Sequence, residues 1–136
     1  MSRMIFVNLS VADLRRSLDF WTGLGFAFNP QFTDDNAACM VVSDDACVML
    51  LTEKYFSTFT TKNVVDATTH VEAIMALSAE SREEVDRLAE AALATGGSRA
   101  NEPQEDGFMY GRSFHDPDGH LWELIYMDPA ALEQQV

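Results

Sequence analysis

The chain has 136 residues, of which 47% are hydrophobic and 10% aromatic, and its formal net charge is −13. This composition is typical of one globular domain with a substantial core, and it excludes a disordered chain. The excess of acidic residues excludes a nucleic-acid or anionic-membrane surface, since both require basic patches. An apolar stretch such as 46–51 is far too short to span a membrane.

The cysteine content and the start of the sequence point to the cell interior. No charged segment followed by an apolar one opens the chain, so no signal peptide is expected. With only Cys39 and Cys47, we expect a cytoplasmic protein with reduced thiols. A disulfide across two predicted strands is conceivable but not expected. Both cysteines are interpreted as buried apolar side chains, because neither has a basic neighbour in sequence.

The first half of the chain predicts a strand, a helix and three further strands. Residues 4–11 alternate apolar side chains, as a half-buried strand does. Asp13 is a suitable N-cap for a helix over 14–24, and Gly25 ends that helix. The three strands that follow are expected at 25–29, 37–43 and 46–52.

The second half predicts the same order of elements. A strand is expected at 69–78, and Ser81 with Glu84 forms a capping box at the start of the next helix. A hairpin is predicted at 108–127, where the strands flank an Asp-Pro-Asp-Gly turn. A short final helix is expected to begin at Asp128.

A weak internal repeat relates the two halves. The segment from Val11 recurs from Ala79 at an offset of 68 residues, and the turn at 44–45 recurs at 117–118 at an offset of 73. The chain is therefore predicted to be α+β, with two tandem βαβββ modules that form a cup-shaped, mixed and mostly antiparallel sheet. A ligand site is expected where the modules meet. The predicted bounds are module 1 over 1–54, a linker over 55–68, module 2 over 69–128 and a tail over 129–136.

Two motifs resemble those of the vicinal-oxygen-chelate superfamily. They are Val11-x-Asp13-Leu14-x-x-Ser17-x-x-Phe20-Trp21, followed by Leu24-Gly25-Phe26, and Asp116-Pro117-Asp118-Gly119-His120-x-x-Glu123. The superfamily includes glyoxalase I, bleomycin-resistance proteins, fosfomycin-resistance enzymes and extradiol dioxygenases. Phe108 to Phe114, with Phe32 and Met49-Leu-Leu, is similar to an uncharacterised branch described as predicted lactoylglutathione lyase. The resemblance implies a glyoxalase-like fold and a homodimer.

The resemblance also implies four positions for the ligands of a divalent metal, two in each module. Transferred by motif, they are Phe6, Leu50, Ile74 and Glu123. Both repeat offsets relate these positions in pairs. Three of the four side chains are hydrocarbon and donate no lone pair, and one carboxylate cannot hold a divalent metal tightly. We therefore expect no metal cofactor, although the superfamily's lyases and dioxygenases use one.

Polar residues near these positions are the candidates for ligand binding and catalysis. Strand alternation puts Asn8 on the face of Phe6, where its amide either orients a ligand carbonyl or bonds neighbouring backbone. Glu123 shares a face with Leu121 and Ile125, and among apolar neighbours it is a candidate general base. Its alternative role is to pair with Arg112 or with a tyrosine hydroxyl.

Tyr110 and Arg112 have the spacing to share one face of the neighbouring strand. The arginine can grip a carboxylate or phosphate of a substrate with two hydrogen bonds. Its alternative is a structural or surface ion pair, which is the commoner role of arginine. Phe6, Leu50 and Ile74 complete the predicted substrate-binding set as apolar wall.

Three functions remain open from the sequence. The first is a glyoxalase-like enzyme, of lyase, isomerase or detoxifying type, that acts on a carbonyl-bearing metabolite without metal and uses Glu123 as acid and base. The second is a non-catalytic protein that sequesters a cationic, partly aromatic compound, as bleomycin-resistance proteins do. The third is a metal-dependent lyase or dioxygenase with non-standard ligands, namely His70, Glu72 and Glu123. The expected partners are a small molecule and a second copy of the chain.

Overall fold

The computed structural model describes residues 3–130, and the chain divides into two compact units, Met1–Asp66 and Ala67–Val136. Each unit has one mixed sheet and one long helix, so the predicted α+β class is confirmed. The predicted tail after residue 130, with most of the expected final helix, lies outside the described residues. Among residues 3–130, no helix is long and apolar enough to cross a membrane.

The first unit follows the predicted βαβββ order. Its elements are β1 (Ile5–Val11), α1 (Leu14–Gly23), β2 (Ala27–Phe28), β3 (Ala37–Ser43), β4 (Ala46–Thr52) and α2 (Glu53–Phe56). The strands form a sheet in the order β1-β4-β3-β2, in which β1 and β4 are parallel and the other pairs antiparallel. Two 3₁₀ turns, Pro30–Phe32 and Ser57–Phe59, complete the unit.

Helix α1 covers one face of the first sheet. The Asp13 side chain accepts a hydrogen bond from the Arg16 backbone N–H at 3.1 Å, as an N-cap does. Phe20 and Trp21 are each 1% exposed, and their rings meet edge to face at 5.0 Å. Val11 and Leu50 are buried on the same side of the unit. The opposite face of this sheet is therefore the one free to carry a site.

The second unit repeats the order with one extra strand. Its elements are β5 (Ile74–Ser78), α3 (Arg82–Ala94), β6 (Ser98–Arg99), β7 (Gln104–Asp106), β8 (Met109–His115) and β9 (Leu121–Met127). The sheet order is β5-β9-β8-β6, with β5 and β9 parallel, and β7 also pairs with β8. The predicted Ser81–Glu84 cap is present, because the Glu84 N–H donates to Ser81 Oγ at 3.0 Å.

The predicted hairpin turn is held by the buried carboxylate of Asp116. Its Oδ1 accepts from the backbone N–H groups of Asp118 and His120, both at 3.0 Å, and its Oδ2 accepts from Trp122 Nε1 at 2.9 Å. Gly119 follows at φ +94°, a conformation that favours glycine. The turn motif thus fixes the register of β8 against β9, which places Glu123.

The strand predicted at 69–78 is shorter than expected, because only 74–78 pairs with β9. Residues 69–73 lie outside the sheet, so strand alternation does not bring His70 and Glu72 to the face of Ile74. The segment at 55–68, expected to link the modules, begins with the helical turns α2 and Ser57–Phe59 of the first unit. Its lack of a strand or helix period reflects helical pieces that are too short to show one.

Candidate functional site

An open groove lies on the face of the first sheet opposite α1, with a volume of about 380 Å³. This volume is within the range of small-molecule sites, about 300–1,000 Å³. The floor of the groove comes from β1 and β4, and its walls from the two 3₁₀ turns and α2. We call it the aromatic groove; its lining includes Asn8, Met49, Leu51, Phe32, Tyr55 and Phe59.

The Phe32 wall is held in place by a small hydrogen-bond network. The Asn29 side chain accepts from the Gln31 backbone N–H at 3.0 Å, and so caps the turn that carries Phe32. Thr33 Oγ1 donates to the Asn29 carbonyl at 2.7 Å and accepts from the Cys39 backbone N–H at 3.1 Å. The threonine therefore ties the turn to β3 and leaves the Phe32 ring 58% exposed at the groove.

The opposite wall is an exposed aromatic pair. Thr52 caps α2 by accepting from the Tyr55 backbone N–H at 3.4 Å. The Tyr55 and Phe59 rings then meet edge to face, with centroids 5.1 Å apart and an interplanar angle of 82°. Phe59 is 67% exposed, although burial of its ring would stabilise the protein. Exposed rings that converge on one concavity indicate a binding surface.

Asn8 is the polar group on the groove floor. It lies opposite Met49 in the β1–β4 register and is exposed, as its predicted position on the face of Phe6 requires. Within residues 3–130, its side-chain amide makes no hydrogen bond, so the alternative of bonding neighbouring backbone is not what is observed. Both the amide N–H₂ and the carbonyl oxygen therefore remain available to a ligand.

The sequence repeat predicts the wrong face of the sheet for Leu50. It pairs with Leu9 and is fully buried on the face of Val11, so it does not share the face of Phe6 and Asn8. The reason is that the two turns differ in length: residues 44–45 separate Ser43 from its partner Ala46, whereas residues 116–120 separate His115 from its partner Leu121, so the aligned turn residues do not correspond. In the strands, Met49 corresponds to Glu123 and Cys47 to Leu121, each at an offset of 74 residues rather than 73.

Glu123 lies on the predicted face of the second sheet. It pairs with Ala76 and Ser113, while Trp122 and Leu124 are fully buried on the other side. Among the described residues, its carboxylate has no hydrogen bond or ion pair. The recess beside it measures about 20 Å³, room for about one water molecule. Its polar lining includes Asn101, Glu102, Gln104 and Ser113.

Tyr110 and Arg112 face α3, on the side of the sheet opposite Glu123. Arg112 donates to Asp86 Oδ1 at 3.2 Å and to Glu90 Oε1 at 3.0 Å, and Tyr110 Oη donates to Asp86 Oδ1 at 2.5 Å. The predicted substrate-binding role of both residues is therefore corrected, and the ion-pair alternative for Arg112 is confirmed. The reason is that Asp86 and Glu90, four residues apart on α3, both point at the strand.

These contacts shift the pKa of Asp86 and that of Tyr110 in opposite directions. The hydrogen bond from Tyr110 is the main cause that lowers the pKa of the Asp86 carboxyl, and Arg112 lowers it further. The same hydrogen bond, with partial burial, raises the pKa of the Tyr110 hydroxyl. The hydroxyl is held against α3 by this hydrogen bond to Asp86.

The residues at the family's metal positions do not fit a divalent metal. With the corrected register, they are Phe6, Met49, Ile74 and Glu123: a phenyl ring, a thioether, an alkyl chain and one carboxylate. Divalent metals of this type need several imidazole or carboxylate donors. Within residues 3–130, no three His, Cys, Asp or Glu side chains are grouped as metal ligands. His70 Nδ1 instead lies 2.7 Å from Thr69 Oγ1 in an exposed segment.

Sequence comparison agrees with the architecture. The sequence model of the Glyoxalase/Bleomycin resistance protein/Dioxygenase superfamily matches residues 3–124. The two βαβββ units define the glyoxalase-like fold, and the chain belongs to that superfamily. No curated protein matches the sequence.

Solved structures share this fold across nearly the whole chain. A hypothetical protein, SA1046 from S. aureus, is 30% identical, with 93% of this chain and 95% of that one covered and a TM-score of 0.77. A family enzyme from Burkholderia phytofirmans PsJN is 15% identical over 93% and 99%, with a TM-score of 0.76. The fosfomycin resistance protein FosX from Listeria monocytogenes is 19% identical over 93% and 91%, with a TM-score of 0.64.

Sequence reasoning missed the two walls of the aromatic groove. Tyr55 and Phe59 were assigned to a linker, although their spacing of four residues after the Thr52–Glu53 cap is a helical signal. In the sequence, Phe32 is indicated only by the family resemblance. No sequence signal placed its turn over the sheet, because that placement depends on Thr33 reaching β3.

Proposed function

We propose that the first unit binds a small, cationic and partly aromatic molecule in the aromatic groove, without a divalent metal. One observation carries the proposal. Phe32, Tyr55 and Phe59 expose their rings around a cavity of about 380 Å³ whose floor holds the unpaired Asn8 amide. An apolar pocket with one orienting polar group is the usual composition of a small-molecule site.

The chemistry of the groove favours a flat cation. Aromatic faces stack on planar ligands and attract positive charge through their quadrupoles. Asp34 is the acidic residue of the lining, and the whole chain carries a net charge of −13. Both charges raise the local concentration of a cation and oppose binding of an anion. A neutral or cationic ring system is therefore preferred over a phosphonate.

Membership of the superfamily is compatible with this function. Solved relatives with the fold bear the names glyoxalase, bleomycin resistance protein and fosfomycin resistance protein, so both enzymes and resistance proteins occur. Because the family's metal positions here offer a divalent metal only one carboxylate and one thioether, sequestration agrees with the residues better than metal-dependent turnover does.

Catalysis by Glu123 is the second candidate, and a separate observation favours it. Its half-buried carboxylate has apolar neighbours on its strand and no polar partner among the described residues, so it is free to accept a proton from a bound ligand. The small recess beside it admits a water rather than an organic substrate. This candidate predicts turnover that survives chelation and is lost in Glu123→Gln.

Calorimetric titration tests the proposed binding. Protein treated with EDTA is titrated with bleomycin, berberine and ethidium as cationic aromatic probes, and with fosfomycin as a small anion. We expect at least one cationic probe to bind, and Phe59→Ala or Phe32→Ala to weaken it about tenfold or more, as loss of an aromatic anchor does.

The control for these variants is Ile5→Ala. Ile5 is also exposed on the first sheet, but it lies on the face of β1 opposite Asn8. Its truncation should leave the affinity unchanged. Equal affinities in the wild-type protein and both phenylalanine variants, or preferential binding of fosfomycin, would contradict the proposal. Conversion of a bound probe, followed by mass spectrometry, would favour the catalytic candidate.

A further inference from the structure

Three sulfur atoms lie on one face of the hairpin formed by β3 and β4. Cys39 of β3 is directly opposite Met49 of β4, and Cys47 precedes Met49 by two residues on the same strand. Paired residues of neighbouring strands, and residues two apart on one strand, point to the same side of a sheet. The two thiols and the thioether therefore share the face that carries the aromatic groove.

The backbone brings Cys39 and Met49 close together. The Cys39 N–H donates to Thr33 Oγ1 at 3.1 Å, and its carbonyl accepts from the Asn29 N–H at 2.9 Å. Both groups therefore point away from β4, so Cys39 and Met49 form a non-hydrogen-bonded pair. In such pairs the Cα atoms are about 4.5 Å apart and the side chains are at their closest.

The second thiol is within reach of the first. The Cys47 side chain influences the titration of Cys39, and both residues are buried, at 6% and 1% exposure. The residue opposite Cys47 is Val41, so the two cysteines are diagonal neighbours. Diagonal Cα atoms are about 7–8 Å apart, beyond the spacing of about 4.4–6.8 Å that a disulfide requires. The pair is therefore better suited to share a bound atom than to bond to itself.

The Cys39 thiol is unsuited to nucleophilic chemistry. Burial, followed by the neighbouring Cys47, raises the pKa of the Cys39 thiol to about 11. The thiolate, which is the reactive form, is thus scarce at neutral pH.

We propose that Cys39, Cys47 and Met49 form a site for a soft monovalent cation, Cu(I). Thiolate and thioether donors select Cu(I), whereas Mg²⁺, Ca²⁺ and Mn²⁺ prefer oxygen. Zn²⁺ requires four ligands in structural sites, and the cluster supplies three sulfurs. The oxidation state of copper does not change on binding: each thiol that binds releases one proton to solvent, and the thioether donates a lone pair.

The aromatic groove gives the cluster its access to solvent. Met49 is half-buried and lines the groove, whereas the two thiols beside it are buried and are not part of the lining. A cation that enters through the groove meets the thioether first. This site is distinct from the family's metal position, because Cys39 and Cys47 lie outside the family's four positions and only Met49 belongs to them in the corrected register.

The test is an anaerobic competition for Cu(I) with bicinchoninate, in which loss of the coloured chelator complex reports transfer to the protein. We expect the wild-type protein to take up one Cu(I) per chain, with sulfur ligands alone in its copper X-ray absorption spectrum. Loss of a residue that only supports a metal ligand weakens metal binding by up to about 100-fold. Cys39→Ser and Cys47→Ser each remove a direct ligand, so each should weaken Cu(I) binding by more than that. Met49→Leu, a conservative change at a half-buried position, should also weaken binding.

Met40→Leu is the matched control, because Met40 pairs with Val48 on the opposite face of the same two strands. It should bind as the wild type does, and circular dichroism should show that every variant is folded. Unchanged uptake in Cys39→Ser and Met49→Leu, or displacement of Cu(I) by equimolar Zn²⁺, would overturn the proposal. The copper test does not use the binding of aromatic probes or the Phe59→Ala variant. The proposed copper site and the proposed aromatic ligand can therefore be contradicted separately.

Discussion

Gly119→Ala is expected to lower the free energy of unfolding by about 2–5 kcal/mol, the sum of a backbone and a packing effect. Gly119 has φ +94°, where a side chain is disfavoured. A Cβ there would lie 2.6 Å from the Ala67 carbonyl oxygen and 3.0 Å from the Thr68 Cα. Both are backbone atoms, so the segment itself must move to relieve the overlap.

Gly25→Ala separates the two effects. Gly25 has φ +99°, but no atom lies within 4 Å of the position its Cβ would take. This variant should therefore lose only the backbone part, about 1–2 kcal/mol. Urea denaturation of both variants and the wild type gives the comparison. Equal losses at the two glycines would show that the contact with Ala67 does not constrain the turn.

Asp116→Ala is expected to cost about 3 kcal/mol, because it leaves three N–H donors without their acceptor. The buried Trp122 indole loses its hydrogen bond at 2.9 Å, and the backbone N–H groups of Asp118 and His120 lose theirs. Burial raises the pKa of the Asp116 carboxyl, since removal from water disfavours its charged form. The cost of removing this carboxylate from water offsets part of the stabilisation that its three hydrogen bonds provide. The free energy of unfolding lost in Asp116→Ala is therefore expected to be moderate.

Asp44→Ala is the control for this variant. Asp44 lies in the equivalent turn of the first hairpin, is exposed and holds no buried donor among the described residues. Its removal should change the free energy of unfolding by no more than about 0.5 kcal/mol. Both changes can be followed by the fluorescence of the two tryptophans. A similar loss in both variants would contradict the role given to Asp116.

Much of the fold was predictable because local signals agree with the tertiary structure. The caps at Asp13 and Ser81 and the Asp-Pro-Asp-Gly turn each use side-chain oxygens that satisfy nearby N–H groups. Such signals act within a few residues and need no knowledge of the rest of the chain. The face of Glu123 was predictable as well, because Trp122 and Leu124 could only be buried.

The face of Arg112 and Tyr110 was not predictable from alternation alone. Alternation shows that the two residues share a face, but it does not say whether that face meets a helix or a ligand. The acidic residues of α3 decide it, because Asp86 and Glu90 lie over the strand and pair with Arg112. The contact joins residues more than 20 positions apart, and neither segment signals it alone.

The predicted face of Leu50 was wrong for a different reason. The two hairpin turns have different lengths, 44–45 in the first and 116–120 in the second, so an alignment anchored on the turns is wrong by one residue in the strand that follows. A shift of one residue moves every side chain to the other face of the sheet. The corrected position, Met49, belongs both to the aromatic groove and to the sulfur cluster.

The most direct test of the aromatic groove is an NMR titration of protein that carries ¹³C-labelled methionine methyl groups. Seven methionines are present, and among the described ones only Met49 lines this groove. After chelator treatment, the cationic probe that binds most tightly is added in steps. We predict that the Met49 methyl resonance shifts and saturates with the calorimetric affinity, while that of Met40 remains in place. If the Met49 resonance does not shift, and only those of Met75 or Met109 in the second unit do, the proposal is contradicted.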